Sequence, residues 1–445
     1  MIRLPVLASI AALAAVTELH AQPAARRPNV VLIITDDMGY GDFGAYGSPD
    51  VKTPNIDRLA RQGVKLSDFY ANAANCSPTR AGLISGRYQQ RFAIEWPFGG
   101  PRSADSVRGL SATGRSLPRL LANNGYATAL VGKWHLGYRP EFSPAAHGFG
   151  YFFGFKSGYT DYYQHTDGDG DADLFENDQR VSVSGYMTDL ITQRSVQFIA
   201  RNKDTPFFLD VAYNAAHWPY QVPDSPSVAV DHGRHLSPFD SSTNTRAQYV
   251  KIIERADRGV GDILRALDSL GLASNTIVIF TNDNGGEWLS RNEPLFHNKS
   301  SLWEGGIRVP AIIRWPGHIP ANTASQQVAI TMDLTASILA ATEAAIPPEA
   351  ALDGMDIFPI LERRAPVVPR TLFWRVSVGR QQIAVRSGDW KLLLDNGRPF
   401  LFNVRTDLGE RTNLIRSQPD LARRLRSLLG KWQAEVYAEA QSHRS

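Results

Sequence analysis

The chain has 445 residues, of which 43% are hydrophobic and 20% charged, the composition of an ordinary globular protein rather than a disordered or fibrous one. A formal net charge of +3 is too small to indicate nucleic-acid binding. The length exceeds what one compact core usually holds, which predicts one large domain and a smaller one.

The N-terminus has the pattern of a cleaved export signal. Arg3 precedes the apolar stretch 6–16, and small residues follow at a position suited to cleavage. We therefore predict a signal peptide over residues 1–21 and a periplasmic or secreted protein. A membrane anchor needs about 18 or more apolar residues, and Glu18 and His20 interrupt the run first. No later stretch of the sequence predicts a membrane span.

Short runs rich in valine, isoleucine and leucine alternate with amphipathic helical patterns. This alternation predicts an α/β fold around a large, mostly parallel sheet. The predicted strands cover residues 29–35, 128–131, 207–212 and 276–281. One helix is predicted to begin after Thr53, with Pro54 in its first turn and Gly63 as its stop, and another covers about 245–270.

Each predicted strand is followed by polar residues. These are, in chain order, Asp36 and Asp37, Lys133 and His135, His217, and Asp283 and Asn284. In open α/β sheets ligands bind beyond the carboxyl ends of the strands, so four segments are predicted to meet at one edge. Lys133 and His135 would share a side of an extended chain, although a surface lysine beside a core histidine is an ordinary alternative. The convergence itself predicts an enzyme.

Cys76 is the only cysteine of the chain. Exported proteins normally pair their cysteines as disulfides, so a lone one is either a reactive group or a buried thiol that packs as a small hydrophobe. The polar neighbours Asn75 and Ser77 and the charged Arg80 predict an electropositive, partly exposed setting. Pro78 suits a first helical turn, which places Cys76 at a helix N-terminus, where anions bind, with Arg80 about one turn on.

Asp36, Asp37, Asp283 and Asn284 are hard oxygen donors. Ca²⁺ and Mg²⁺ prefer such ligands, whereas zinc prefers cysteine and histidine. A solvated turn is the alternative for either pair taken alone, but adjacent carboxylates repel each other without a cation, and both pairs directly follow β-rich runs. The sequence therefore predicts a divalent-cation site.

The pattern changes near Ile346, where several prolines punctuate a linker-like stretch. Beyond it, short antiparallel strands are predicted over residues 371–376, 382–386, 390–394 and 399–404. An amphipathic helix over about 419–440 closes the chain. We predict a catalytic domain over residues 27–345 and a smaller α+β subdomain with an antiparallel sheet over residues 346–445.

The twelve residues from Cys76 to Arg87, CSPTRAGLISGR, resemble the signature of the type I sulfatases of the alkaline phosphatase superfamily. The resemblance extends over about residues 27–414. It implies an alkaline-phosphatase-like sandwich that hydrolyses a sulfated small molecule or saccharide. It also implies that a separate formylglycine-generating enzyme oxidises Cys76 to formylglycine, an aldehyde whose hydrate is the nucleophile.

The resemblance also implies a role for each remaining candidate. Lys133 holds the sulfate group, Arg80 offsets charge on the sulfate oxygens, and His135 assists the release of sulfate after the ester is cleaved. His217 and Lys299 contact sulfate and assist the departure of the leaving group. The implied metal ligands are Asp36, Asp37, Asp283, Asn284 and the side chain at position 76. The usual metal of the family is calcium, with magnesium as the alternative.

The segments 161–165 and 299–306 look closest to arylsulfatase B-like enzymes and related bacterial carbohydrate sulfatases. The chain departs from them at residues 296–298, where those relatives often carry a more basic stretch, so the substrate stays open. Two other functions also stay open. One is a phosphodiesterase or phosphonate monoester hydrolase with the same nucleophile, and the other is a non-catalytic sulfoglycan-binding protein that is never oxidised.

Two further features admit more than one interpretation. Residues 167–171, DGDGD, resemble the start of a calcium loop, but Ala172 and Asp178 depart from that pattern and favour a solvated loop. His165, Trp218 and His297 suit either a sugar subsite or ordinary packing.

Overall fold

The computed structural model describes residues 27–225 and 244–442 and is built around a ten-stranded, mostly parallel sheet. The strand order is β11-β2-β10-β9-β1-β8-β4-β5-β6-β7. The strands of this sheet are β1 (Asn29–Thr35), β2 (Val64–Leu66), β4 (Ala127–Lys133), β5 (Tyr151–Phe155), β6 (Phe175–Glu176), β7 (Gln179–Arg180), β8 (Phe207–Ala212), β9 (Thr276–Asn282), β10 (Ala311–Arg314) and β11 (Thr323–Ser325). A small parallel pair is formed by β3 (Phe69–Tyr70) and β12 (Ala329–Ile330). The predicted fold class is confirmed.

The central strand β1 is buried along its whole length. An uninterrupted apolar run is typical of a strand that is covered on both faces. β1 pairs in parallel with β8 on one side and with β9 on the other, and Thr35 lies opposite Asn282. Because the two strands end in register, the residues that follow them, Asp36 and Asp283, begin side by side.

Helices cover both faces of the sheet. Val31 and Ile33 face a layer that contains α1, α4 and α5, whereas Val30 and Leu32 face α2, α3 and α7. The helices are α1 (Pro54–Gln62), α2 (Cys76–Ser85), α3 (Leu117–Asn123), α4 (Met187–Arg201), α5 (Arg246–Ser269), α6 (Glu304–Ile307), α7 (Thr331–Ala341), α8 (Phe358–Leu361) and α9 (Pro419–Ser442). Within residues 27–225 and 244–442, no helix is both long and apolar enough to cross a bilayer. The predicted signal peptide, residues 1–21, lies outside the described residues.

Gly132 allows β4 to approach β8 closely. Its φ is 121°, and a Cβ at this position would lie only 1.9 Å from the carbonyl oxygen of Ala212. A side chain would therefore force the strands apart, which only glycine avoids. The next residue, Lys133, is the last of β4 and therefore lies at the carboxyl edge of the sheet.

The C-terminal part of the chain forms a four-stranded antiparallel sheet in the order β13-β14-β15-β16. Its strands are β13 (Thr371–Val376), β14 (Gln382–Ser387), β15 (Trp390–Asp395) and β16 (Arg398–Asn403). Trp374 of this sheet packs in one core with Tyr70 and Trp303, which precede residue 346. The linker-like stretch is also packed, because Phe358 and Leu361 are buried in the core beside α2. The domain boundary at residues 345–346 stays a prediction.

A buried ion cluster joins the antiparallel sheet to α6. Lys391 of β15 is fully buried, and its Nζ lies 2.9 Å from a carboxylate oxygen of Glu304 and 2.9 Å from one of Glu410. Burial raises the pKa of Glu410, whereas at Glu304 burial is outweighed by Lys391 and Arg308, which lower the pKa. The cluster therefore depends on the Lys391 ammonium to hold two buried carboxyl groups.

Removing this ammonium is expected to destabilise the protein. Lys391→Met should lower the free energy of unfolding by about 3 kcal/mol, because it removes the ammonium that pairs with Glu410 and leaves Glu304 paired with Arg308 alone. Urea unfolding followed by tryptophan fluorescence measures the loss. The exposed Lys431 of α9 provides the control, and Lys431→Met should change stability by less than about 0.5 kcal/mol. Equal stability of the two variants would contradict a structural role for the cluster.

Candidate active site

The carboxyl ends of four strands bring the predicted site residues together at one edge of the large sheet. Asp36 and Asp37 follow β1, Asp283 and Asn284 follow β9, Lys133 ends β4, and His217 lies five residues beyond β8. All but His217 are nearly fully buried. The loop that follows β9 adds Lys299, whose Nζ lies 2.5 Å from Asp37 Oδ2. The predicted convergence of separate segments is observed.

Cys76 is the first residue of α2, as predicted from Pro78. The preceding residue Asn75 is held by a hydrogen bond from its Nδ2 to Ser300 Oγ, at 2.8 Å. The expectation that Cys76 is partly exposed is wrong, since only 3% of the residue is accessible. Burial raises the pKa of the thiol, although nearby Lys133 acts in the opposite direction. The unmodified thiol is thus protonated at neutral pH and is a poor nucleophile.

Three ion pairs balance the charge of the site. Lys133 Nζ lies 2.6 Å from Asp36 Oδ2 and Arg80 Nη2 lies 2.9 Å from Asp283 Oδ2, in addition to the pair of Lys299 and Asp37. Burial disfavours the charged form of Lys133, but Asp36 outweighs it and raises the pKa. Asp37 keeps a lowered pKa despite burial, chiefly because the ammonium of Lys299 favours its anion. Burial and the neighbouring Asp36 raise the pKa of Asp283 to about 6.

Three oxygens of the cluster lack a hydrogen-bond partner among the described residues. They are Oδ1 of Asp36, Asp283 and Asn284, and all are buried. Orphaned buried oxygens are costly, and a divalent cation with oxygen ligands would satisfy them. Asp36, Asp283 and Cys76 each offer a ligand atom, and these atoms lie within 4.8 Å of one another, as do ligand atoms of Asp36, Asp37 and His217. The residues present therefore fit a divalent cation.

His135 has an unprotonated nitrogen available. Its Nε2 lies 3.0 Å from the carbonyl oxygen of Phe98, which can only accept, so Nε2 carries the proton. The buried Nδ1 has no partner among the described residues. Burial, followed by Lys133, holds the pKa well below its usual value, so the ring is neutral at pH 7. The prediction that Lys133 and His135 share one side applies only if the chain is extended, and the chain is not extended at His135, whose φ is 57°.

His217 and Lys299 face each other, the imidazole as a neutral acceptor and the lysine as a charged donor. His217 Nδ1 lies 2.7 Å from the Trp218 carbonyl oxygen, so the neutral ring is protonated there and its Nε2 is the acceptor. That Nε2 lies 3.4 Å from Lys299 Nζ. Burial and then Lys299 lower the pKa of His217 to about 4. Burial disfavours the ammonium of Lys299, but Asp37 outweighs it and raises that pKa well above its usual value. Of the two, Lys299 carries the proton at pH 7.

Sequence reasoning missed three residues around this site. The ring of Tyr159 stacks on His217, with centroids 5.7 Å apart and planes at 8°. Glu287 adds a negative charge that acts on both His217 and Lys299. Asp210, in the middle of β8, is a buried acid whose pKa burial raises to about 7 while Arg80 lowers it. Glu287 could have been found from the sequence, because it lies only four residues after Asp283. Nothing in the sequence marks Tyr159 or Asp210 as residues of the site.

Of the residues that suited either a sugar subsite or packing, and of the loop 167–171, some are packed into the protein and others lie beside the site. His165 is 5% exposed and its Nε2 contacts the Gly185 carbonyl oxygen, which is packing. Asp167 is also buried, and its carboxylate accepts the N–H groups of Asp169 and Asp171, so only part of the predicted solvated loop is exposed. Trp218 and His297 lie beside site residues, the former packed edge-on against Tyr159.

Comparison with known proteins identifies the family. A family model described as Sulfatase matches residues 28–344. The chain belongs to the sulfatase family. N-acetylgalactosamine-6-sulfatase of Sus scrofa is 36% identical over 361 residues, which cover 76% of this chain and 66% of that protein. Arylsulfatase A of Bos taurus is 32% identical over 458 residues, covering 90% of this chain and 85% of that protein.

A solved structure agrees with the assignment. Ps i-CgsB in complex with k-i-k-neocarrahexaose has a TM-score of 0.81 and 30% sequence identity, covering 92% of this chain and 93% of that chain. The predicted family, fold and enzyme class are therefore confirmed, since sulfatases are sulfuric ester hydrolases. The roles predicted for individual site residues stay predictions.

The orphaned oxygens of this sulfatase give a test of cation binding. Ca²⁺ at about 100 times its Kd should stabilise the unmodified protein by about 2.7 kcal/mol. Asn284→Ala removes one of the orphaned oxygens and should weaken the Kd for Ca²⁺ at least about 10-fold, measured by calorimetry and by thermal unfolding.

Asn275, at the opposite end of β9, provides a matched control. Asn275→Ala should bind Ca²⁺ with the wild-type Kd. Stabilisation of Asn284→Ala by the same Ca²⁺ concentrations as the wild type would exclude Asn284 as a ligand, and no stabilisation of the wild type would exclude the site.

Proposed function

We propose that this sulfatase hydrolyses sulfate monoesters of saccharides with cleavage of the S–O bond, and that Cys76 is the precursor of its nucleophile. The observation that carries the proposal is the position of Cys76. Its thiol is buried, protonated and placed at a helix N-terminus among Arg80, Lys133 and Lys299. A protonated thiol is a poor nucleophile. Formylglycine, the oxidation product of cysteine, forms a hydrate, and this hydrate would supply an oxygen nucleophile at position 76.

The oxidation requires a formylglycine-generating enzyme as a partner. Nine consecutive residues, from Cys76 to Ile84, are buried. An enzyme that binds this segment needs it extended and exposed, so the modification precedes the completion of folding. A chain that folds with an unmodified Cys76 would accordingly remain unmodified.

The cation proposed for the orphaned oxygens is Ca²⁺, with Mg²⁺ as the alternative. Asp36, Asp37, Asp283 and Asn284 would hold it together with the side chain at position 76. When bound, it would offset negative charge that develops on the sulfate oxygens and on the nucleophile.

The protein's own cations would bind the ester. Arg80 lies in α2 and acts on Cys76, the first residue of that helix, as do Lys133 and Lys299, and backbone N–H groups at a helix N-terminus also favour an anion. Since these groups are held by ion pairs before substrate binds, they need little reorganisation as charge develops in the transition state.

Two proton transfers follow from the observed tautomers. Lys299 is charged and would donate a proton to the departing sugar oxygen, while Nε2 of His217 accepts from the same ammonium and holds it in place. His135 is neutral with an unpaired Nδ1 and would accept the proton that must leave position 76 when sulfate is released.

The saccharide class and the location are further parts of the proposal. The related porcine protein is named for a sulfated amino sugar, and the related Ps i-CgsB binds a neocarrahexaose, which supports a carbohydrate as substrate. Export to the periplasm or out of the cell is supported by the predicted signal peptide over residues 1–21.

Matched esters test the reaction. Protein co-expressed with a formylglycine-generating enzyme should release sulfate from a sulfated monosaccharide and from 4-nitrophenyl sulfate. It should act more slowly on a 4-nitrophenyl phosphate diester. A preference for the diester would instead support a phosphodiesterase, and binding without turnover by verified formylglycine protein would support a non-catalytic protein.

The role of Lys299 gives a sharper prediction. A sugar alkoxide needs a proton to leave, whereas 4-nitrophenolate does not. Lys299→Met should therefore lower kcat on a sugar sulfate by about 100-fold or more, and by a smaller factor on 4-nitrophenyl sulfate. The exposed Lys251 of α5 serves as control, since Lys251→Met should alter neither rate. Equal losses on both esters would show that Lys299 binds sulfate without donating a proton.

A further inference from the structure

The tip of the β13–β14 hairpin, residues 377–381, reaches the loop that carries Lys299. Arg380 Nη1 lies 2.7 Å from Nε2 of His297, which is two residues from Lys299. On its other side the tip meets Trp96, because a Cβ on Gly379 would lie 3.5 Å from the Trp96 ring. Trp96 in turn is two residues from Phe98, whose carbonyl oxygen contacts His135. The hairpin tip therefore lies between two segments that border the active site.

The hairpin is fixed in this position. Arg375, in β13, forms two hydrogen bonds with the carboxylate of Glu95, at 2.7 and 2.6 Å. This pair attaches the hairpin to the segment of Trp96. Arg380 is consequently presented from a β-hairpin that is held by an ion pair close to its tip, at Arg375, and contacted at the tip itself.

Arg380 differs from Arg375 in having no acidic partner. Within residues 27–225 and 244–442, no carboxylate lies within 4.0 Å of its guanidinium, whereas the charge of Arg375 is neutralised by Glu95. The contact with His297 does not neutralise it, since an imidazole that accepts from arginine is uncharged. Burial and then Arg380 lower the pKa of His297, and Nδ1 of the ring lies 2.9 Å from Asn298 Oδ1 and 3.0 Å from the backbone nitrogen of Asn298.

A half-buried guanidinium held by a neutral ring keeps most of its five N–H donors for a ligand. Its planar fork matches carboxylate and sulfate oxygens. Because Arg380 contacts the loop that carries Lys299, such a group would sit on the saccharide beyond the ester that is cleaved.

We propose that Arg380, positioned by His297, binds a second anionic substituent of the substrate, a carboxylate or a second sulfate. The inference rests on the proposed sulfatase function and adds to it that the preferred substrate carries at least two anionic groups. Arg380 thus determines specificity, and His297 is a positioning residue.

Matched pairs of substrates test this. One pair is a monosulfated disaccharide that contains a uronate and the same disaccharide with the carboxylate reduced to an alcohol. The other is a disulfated monosaccharide and its monosulfated counterpart. 4-Nitrophenyl sulfate reports the reaction without any second anion, and all are assayed with wild type, Arg380→Gln, Arg380→Lys and the control Arg424→Gln, which alters an exposed arginine of α9.

Arg380→Gln should raise KM about 10- to 100-fold for the anion-bearing member of at least one pair, with kcat changed by less than about 2-fold. KM for the other member and for 4-nitrophenyl sulfate should stay within about 2-fold. Arg380→Lys should give an intermediate KM, because it keeps the charge and loses the fork. The pair that responds tells whether the group is a carboxylate or a sulfate.

Wild-type KM values for both anion-bearing substrates in Arg380→Gln would overturn the inference and leave the sulfatase function intact. An equal rise in KM for both members of each pair would also overturn it, because it would reflect general damage to the site. Failure of the wild type to hydrolyse any of these esters, including 4-nitrophenyl sulfate, would overturn the proposed function and the inference together.

Discussion

Three carboxylates and three cations are buried together at the carboxyl edge of the large sheet, and the rest of the site depends on keeping them paired. Neither set could be buried alone, because an unpaired ion in a protein interior is strongly destabilised. Pairing Asp36 with Lys133 and Asp37 with Lys299 uses one oxygen of each carboxylate. The oxygens left over at Asp36, Asp283 and Asn284 are those that a divalent cation would satisfy.

The strand pairing of the large sheet positions these charged side chains next to one another. Parallel pairing of β1 with β9 sets Asp36 beside Asp283, and the close approach at Gly132 carries Lys133 to the same edge. The antiparallel sheet has a different role, since it shares a core with α6 and the β3–β12 pair and carries Arg380, which contacts His297. The residues proposed to cleave the ester therefore lie at the edge of the large sheet, whereas the residue proposed to select the substrate, Arg380, lies in a hairpin of the antiparallel sheet.

Much of this arrangement could be predicted from the sequence because it is local. Apolar runs mark the strands, and the polar residues after them mark the edge where they meet. The backbone turn at His135 and the burial of Cys76 could not be predicted, since they depend on segments distant in sequence. Arg380 shows the same limit most clearly. Nothing nearby in sequence separates it from Arg375, and only the three-dimensional structure shows that Glu95 neutralises Arg375, whereas no carboxylate among the described residues pairs with Arg380.

The central claim is that Cys76 is the precursor of the nucleophile. Mass spectrometry of the tryptic peptide 66–80, from protein co-expressed with a formylglycine-generating enzyme, tests it most directly. If Cys76 is that precursor, the peptide will have the mass of the aldehyde or its hydrate at position 76, and the protein will release sulfate, whereas Cys76→Ala will not. An unmodified thiol, in cells that mature a known sulfatase in parallel, would contradict it.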